Sequence, residues 1–200
     1  MAVTSLRERK KAETRQRIAD VATPMFVRRG FDNVTVTEIA EAAGVSKVTV
    51  FNYFPRKEDI LFDRFPQARE LLTGAVEGRG QDETPVSALR RLFVGLAEEG
   101  HPLGGFQDRY VPFWHTVLAS PALRARAREA IDEFESHLTT LLTDIDPTPK
   151  LTAALVLATF RAVYSTTATR MLSGEKSADV TPGHIAALEA AFDTLAGGLR

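Results

Sequence analysis

Four helix-boundary signals fall between Thr35 and Pro55, and together they impose two short helices joined by a tight turn. Thr35-Val36-Thr37-Glu38 is a capping box, in which the threonine hydroxyl takes the Glu38 amide while the glutamate reaches back to the cap. Val36, Ile39, Ala40 and Ala43 then share one face, and Gly44 stands where a helix C-terminus needs positive φ. Ser46 is the next N-cap, for a helix of roughly Lys47–Phe54 that Pro55 closes.

The rest of the chain follows the same period. Ile18, Val21, Ala22, Met25 and Phe26 form an amphipathic stripe ending near Gly30. A longer helix is predicted over 57–75, then a polar loop at 77–85. Further helices are predicted over 86–99, 106–119, 122–143, 150–172 and 182–196, with Pro85, Pro121, Pro149 and Pro182 at or near their starts. No segment alternates with period two and no internal repeat is present. The fold class is all-α.

The 200 residues include 44% hydrophobic residues and no cysteine, which supports a real core and excludes disulfide and thiolate chemistry. The charged N-terminus lacks the apolar region of a secretory signal, and Leu151–Phe160 is too short to span a bilayer. A cytoplasmic protein with no membrane association is the expectation, and Asn33-Val34-Thr35 is then a chance sequon. The net charge of −1 hides an asymmetry: residues 1–60 carry +3 and the remainder −4, a pattern that suits a polyanion-binding end.

The two helices of 35–54 form a helix-turn-helix, whose second helix can enter a major groove. If Val45, Val50 and Phe54 pack inward, Lys47, Val48, Phe51 and Asn52 fall outside. Exposed apolar groups beside two donors suit thymine methyls, sugar walls, base edges and phosphates. A three-helix bundle that only caps another domain would show the same pattern.

The run from Ile18 to Leu61 resembles the N-terminal domain of the TetR family of bacterial transcription regulators. The residues that carry the likeness are Gly30-Phe31, Thr35, Ile39-Ala40, Ala42 to Ser46, Thr49-Val50-Phe51, Tyr53-Phe54 and Lys57. The resemblance implies a DNA-binding domain over 12–72 and a helical effector-binding and dimerisation domain over 73–200. It implies DNA contacts from Thr35, Thr37, Lys47, Val48, Thr49, Phe51, Asn52 and Tyr53, and a phosphate contact from Lys57. Phe51 replaces the family's usual tyrosine, which removes a hydroxyl, and Tyr53 stands where histidine is common. The stretch Phe51–Asp59 is similar to a subset whose ligand domains include acyl-CoA-like binders. The expected partners are a palindromic double-stranded operator, a second copy of the chain and an apolar or amphipathic small molecule. The alternative is a dimeric, ligand-independent DNA-binding or architectural protein.

In the second domain, Ile185, Leu188, Phe192, Leu195 and Leu199 form a seam suited to another helix. With Ala158 of the preceding small-residue helix, Ile185, Leu188, Phe192 and Leu195 are the candidate dimer interface; the same stripe also suits an intrachain core. Phe106, Tyr110, Phe113 and Trp114, with Phe93, Phe134 and Tyr164 from neighbouring helices, are the candidate effector pocket, and Arg109 or Arg161 would meet an anionic end. Ordinary core packing would use these rings as well. The four histidines have no metal-ligand spacing, and no phosphate loop or nucleophile elbow occurs, so neither an enzyme nor a cofactor is expected.

Overall fold

The computed structural model describes residues 6–198. Ten α-helices are present among them, with 3₁₀ turns at Phe31–Asn33 and Asp108–Tyr110 and no strand. The chain forms two compact units and crosses between them three times: one unit runs through Asp63 and includes Thr116–Arg126, the other holds Arg64–His115 and the residues from Ala127 onward.

The smaller unit is built on α1 (Leu6–Arg29), which packs on the short helices α2 (Val36–Ala43) and α4 (Glu58–Leu61), while α3 (Lys47–Tyr53) packs on α2. The predicted stripe of α1 supplies its core, with Ile18, Ala22 and Phe26 fully buried against Phe31, Val34, Ile39, Val50, Phe54 and Ile60. The helix itself begins twelve residues before that stripe.

Each boundary signal of the 35–55 segment is realised. Thr35 Oγ1 accepts from the Glu38 amide and Glu38 from the Thr35 amide. After Ala43 the Gly44 amide bonds the Glu41 carbonyl and the Val45 amide the Ala40 carbonyl, with Gly44 at φ 65°. A Cβ added at Gly44 would meet nothing within 4 Å, so a substitution there costs backbone strain alone. Gly44→Ala is therefore expected to destabilise by about 1 kcal/mol without disturbing packing, seen as a lower urea midpoint with an unchanged m-value.

The helix predicted over 57–75 is two helices, α4 and α5 (Phe65–Glu77). Pro66 explains the break, because it has no amide to give the Phe62 carbonyl and its ring would collide with that carbonyl. Phe62 becomes the C-cap of α4, its amide bonding Glu58. The segment Thr116–Arg126 is fastened to this unit by Ser120 Oγ, which donates to Asp32 at 3.1 Å, and by Arg126, whose Nε meets Asp59 Oδ1 at 2.7 Å.

The larger unit contains α5, α6 (Pro85–Glu98), α9 (Pro149–Leu172) and α10 (Ser177–Gly198), and most of α7 (Val111–Ala119) and α8 (Pro121–Leu142). Its core joins Leu72, Val76, Leu89, Phe93, Leu138, Leu142, Val156, Leu188 and Phe192. Two boundaries differ from expectation. Pro182 lies inside α10, not at its start. Phe106 precedes the helix predicted for 106–119, which begins at Val111. The chain reverses before Phe106 at Gly105, where an added Cβ would stand 2.5 Å from Gly100 Cα, so only glycine permits the approach. α9 is long and apolar enough to cross a membrane by length and composition, but it carries Arg161 and buries one face against α10 and α6 through Ala153, Val156 and Met171.

Candidate nucleic-acid interface

The outward face of α3 carries the unusual chemistry. Val48 is 69% exposed and Phe51 43% exposed, while Val50 and Phe54 behind them are 1% exposed. Lys47 and Asn52 are exposed on the same short helix, and the Lys47 Nζ lies 6.0 Å from the Phe51 ring centroid. Exposed valine and phenylalanine so close together cost solvation free energy, and a helix of seven residues has no stability of its own to spare.

The frame holds that face still. Ser46 Oγ accepts from the Thr49 amide at 3.0 Å and lies 2.8 Å from Thr49 Oγ1, so the Thr49 hydroxyl is shared with the cap. At the other end the Arg15 guanidinium donates to the Tyr53 carbonyl at 2.6 Å and the Asp63 carbonyl at 3.2 Å, and covers the Phe54 ring at 4.1 Å. Burial lowers the Arg15 pKa, against an opposing pull from Asp63 and Asp59. Periodicity gives no sign of this role for Arg15; only the structure reveals it.

Thr35 and Thr37 are exposed at the start of α2, and the Thr35 hydroxyl donates to Glu38 Oε2 at 2.8 Å. Glu38 also receives Arg29 at 2.7 Å, which ties the end of α1 to α2. The Thr35 amide, then Arg29, hold its carboxyl down at about 2. A depressed folded pKa adds stability above the unfolded value of 4.5 and loses it as pH falls through the folded one. The melting temperature should therefore drop between these two pH values, and Glu38→Gln should flatten that part of the profile. A profile identical in the two proteins would refute the assignment.

Lys57, expected at a phosphate, is half-buried and donates to the Phe31 and Val34 carbonyls, each at 3.0 Å, with the Phe31 ring centroid 4.0 Å away. Two of its three ammonium donors thus serve the domain itself. The resemblance supplied a partner for this charge; the structure supplies a nearer one.

In the larger unit the aromatic residues gather in part. Phe106 stands 5.3 Å from Trp114, 4.8 Å from Tyr164 and 4.7 Å edge-on from His184, centroid to centroid. Trp114 Nε1 donates to the Tyr164 hydroxyl at 3.2 Å. Burial pushes Tyr164 up to about 12 and lowers His184, whose Nδ1 lies 3.0 Å from Thr167 Oγ1. Tyr110 and Phe113 are half-buried at the margin, and Arg109 is exposed beside the Tyr110 ring. Phe93 stacks on Phe160 at 4.3 Å in the main core, and Phe134 packs edge-on against Phe65. Arg161 is exposed on the side of α9 that carries Ala158 and Ala162.

The seam of α10 turns inward. Leu188 and Phe192 are fully buried within one chain, and Ile185 and Leu195 pack half-buried on the same core. Leu188 and Phe192, expected at a dimer contact, are thereby taken by the core of their own chain, while Ile185 and Leu195 keep part of their surface. What α10 leaves exposed is the opposite side, with Ala186, Ala187 and Ala190. Of the expected interface residues only Ala158 is exposed.

Residues 18–63 match the sequence profile of bacterial regulatory proteins of the tetR family. The chain is 27% identical over 164 residues to the HTH-type transcriptional regulator TcmR of Streptomyces glaucescens, covering 79% of this chain and 73% of that one. It is 35% identical over 89 residues to the HTH-type transcriptional regulator AcrR of Shigella flexneri, covering 43% of this chain and only 41% of the relative. Among solved structures it is similar to Thermus thermophilus FadR, a TetR-family transcriptional repressor in complex with lauroyl-CoA. That likeness has a TM-score of 0.50 and 28% identity, and covers 93% of this chain and 95% of that one.

Proposed function

We propose that the chain is a helix-turn-helix transcriptional regulator of the TetR family, a repressor released from a palindromic operator by an amphipathic small molecule. A regulator of this family is not an enzyme. The observation that carries the DNA reading is the exposed Val48–Phe51 pair between Lys47 and Asn52, on a helix braced at both ends. In this reading Asn52 and Lys47 address base edges, Val48 and Phe51 lie against methyls and sugars, and Thr35, Thr37, Thr49 and Tyr53 line the flanking backbone. Lys57 positions the turn before α2, and a phosphate can use only its remaining donor. DNA binding is assigned to 12–72 and effector binding and dimerisation to 73–200, a functional division that differs from the compact units, the first of which ends at Asp63. Two copies meet through the exposed small faces of α9 and α10, and so present two recognition helices to successive major grooves.

The effector site is assigned to the margin of the Phe106–Trp114–Tyr164 cluster, with Phe113 and Tyr110 as its accessible rings and Arg109 beside them. The lauroyl-CoA of the FadR complex makes a long-chain acyl-CoA the first compound to try. Ligand would favour a conformation whose recognition helices no longer match the grooves. The close burial of Phe106 and Trp114, 3% and 7% exposed, favours a second reading in which the cluster is core and the protein acts without ligand. In vitro selection from random duplexes would yield the operator. Mobility shifts with increasing lauroyl-CoA, read beside the emission of Trp114, the sole tryptophan, then decide between the two. Release of operator with a matched emission change supports the effector reading; neither change overturns it for this ligand class. Phe113→Ala should raise the lauroyl-CoA needed for half-release by about tenfold, which corresponds to about 1.4 kcal/mol for a truncated contact residue, while leaving operator affinity without ligand unchanged.

A further inference from the structure

The first half of α1 serves the domain through Arg15, which braces the end of α3. The first fully buried residue of the helix is Ile18, so residues 6–17, a helical length of about 18 Å, run on without burying one side chain. Six of those twelve residues are basic and two are acidic. Arg15 is taken by Tyr53 and Asp63, and Arg9 pairs with Glu13 at 3.5 Å. Arg7, Lys10, Lys11 and Thr14 recur at i, i+3, i+4 and i+7, which places them on one face. Farther along, the neighbouring face of the same helix becomes apolar and enters the core.

That cationic face is not isolated on the surface. With Leu6, Glu8 and Tyr53 it lines one open groove of about 960 Å³. Tyr53 is the last residue of α3, so the groove begins where the candidate DNA-reading helix ends. A side chain shared by the two makes the basic face a continuation of that surface.

We propose that this groove is a second DNA-binding surface, in which Arg7, Lys10 and Lys11 hold phosphates of the duplex flanking the bases read by α3. The inference rests on the DNA reading given above and extends it beyond the helix-turn-helix. Duplex DNA is favoured over an acidic protein by the continuity through Tyr53 and by the lining, three flexible cations against one carboxylate, Glu8, with a single aliphatic residue, Leu6. Such contacts raise affinity for all sequences and carry no base preference.

The test uses the full chain and the operator duplex enriched by in vitro selection. In Arg7→Ala/Lys10→Ala/Lys11→Ala the slope of log affinity against log salt should fall by about two to three units per protomer, since each lost phosphate contact removes about 0.9. Operator affinity near 0.1 M salt should drop at least tenfold, with base preferences and melting temperature unchanged. Lys10→Arg/Lys11→Arg should keep the wild-type slope. Trimming the duplex to the bases read by α3 should weaken the wild type and leave the triple variant indifferent. A triple variant with wild-type slope and affinity would overturn the proposal, and so would an acidic protein that binds the wild type while DNA binding ignores the substitutions. Asn52→Ala separates the two readings: it should alter base preference and keep the slope. If the wild type enriches no duplex at all, the α3 reading fails and this one with it.

Discussion

Leu188→Glu should leave no folded protein, whereas Ala186→Glu/Ala190→Glu should leave a folded monomer. The two substitutions act on opposite sides of α10. Leu188 is fully buried in a core with Phe93, Val156 and Phe192, where a carboxylate has no partner. Burying an unpaired charge costs several kcal/mol after relaxation, against a total stability of about 5–15 kcal/mol for a domain. Ala186 and Ala190 are exposed, and glutamate is a good helix former there. In the proposed dimer, however, the pair puts four carboxylates against a closely approached symmetric surface. Circular dichroism should lose its helical signal only for Leu188→Glu, and sedimentation should show the double variant at monomer mass with its melting transition present. A dimeric double variant would move the interface off α10.

The contrast shows what a helical period can and cannot convey. Spacings of 3 and 4 along Ile185–Leu195 establish that one side of α10 is covered, but the same period serves an intrachain core and a partner chain. Which of the two covers it depends on α6 and α9, and neither is encoded in the stripe. Capping chemistry is different. Thr35 and Ser46 act through amides one turn away, Gly44 through its own positive φ and Pro55 through the residue before it, so the boundaries of α2 and α3 are readable residue by residue. Pro66 is just as local, yet apolar residues keep their period on both sides of it and a pattern search passes over the break.

Side-chain partners separated by long stretches of chain were the least accessible. Nothing in the neighbourhood of Arg15 announces Tyr53 and Asp63, and Lys57 finds its acceptors at Phe31 and Val34, more than twenty residues back. Helical spacing is not what assembles the aromatic cluster. Phe106, Tyr110 and Phe113 have helical spacing, but Phe106 lies before the helix, and the close turn at Gly105 delivers it to Trp114 and Tyr164. Phe106, Trp114 and Tyr164 come together by that route, while Phe93 and Phe134, expected in the same cluster, pack elsewhere on Phe160 and Phe65.

Val48→Glu/Phe51→Glu should lower operator affinity by at least a thousandfold while moving the melting temperature by no more than a degree or two. Both side chains are exposed, so the fold loses no packing, and surface substitutions of this kind stay within about 0.5 kcal/mol. At the DNA the same change replaces apolar contact with two carboxylates per protomer facing phosphates. Like-charge juxtaposition across an interface costs several kcal/mol, and about 4 kcal/mol is a thousandfold. Phe54→Ala, one turn away, should do the reverse: its ring is 1% exposed under the Arg15 guanidinium, and its loss should destabilise the fold by about 3–5 kcal/mol. Phe51→Tyr supplies the hydroxyl that the family usually has at this position, so it should keep the fold and tighten operator binding several-fold if that hydroxyl reaches a phosphate. Fluorescence anisotropy on the selected duplex and thermal melts on the same samples separate these outcomes. If the double glutamate variant binds operator like the wild type, α3 does not read DNA, and the exposed Val48–Phe51 pair requires a different partner.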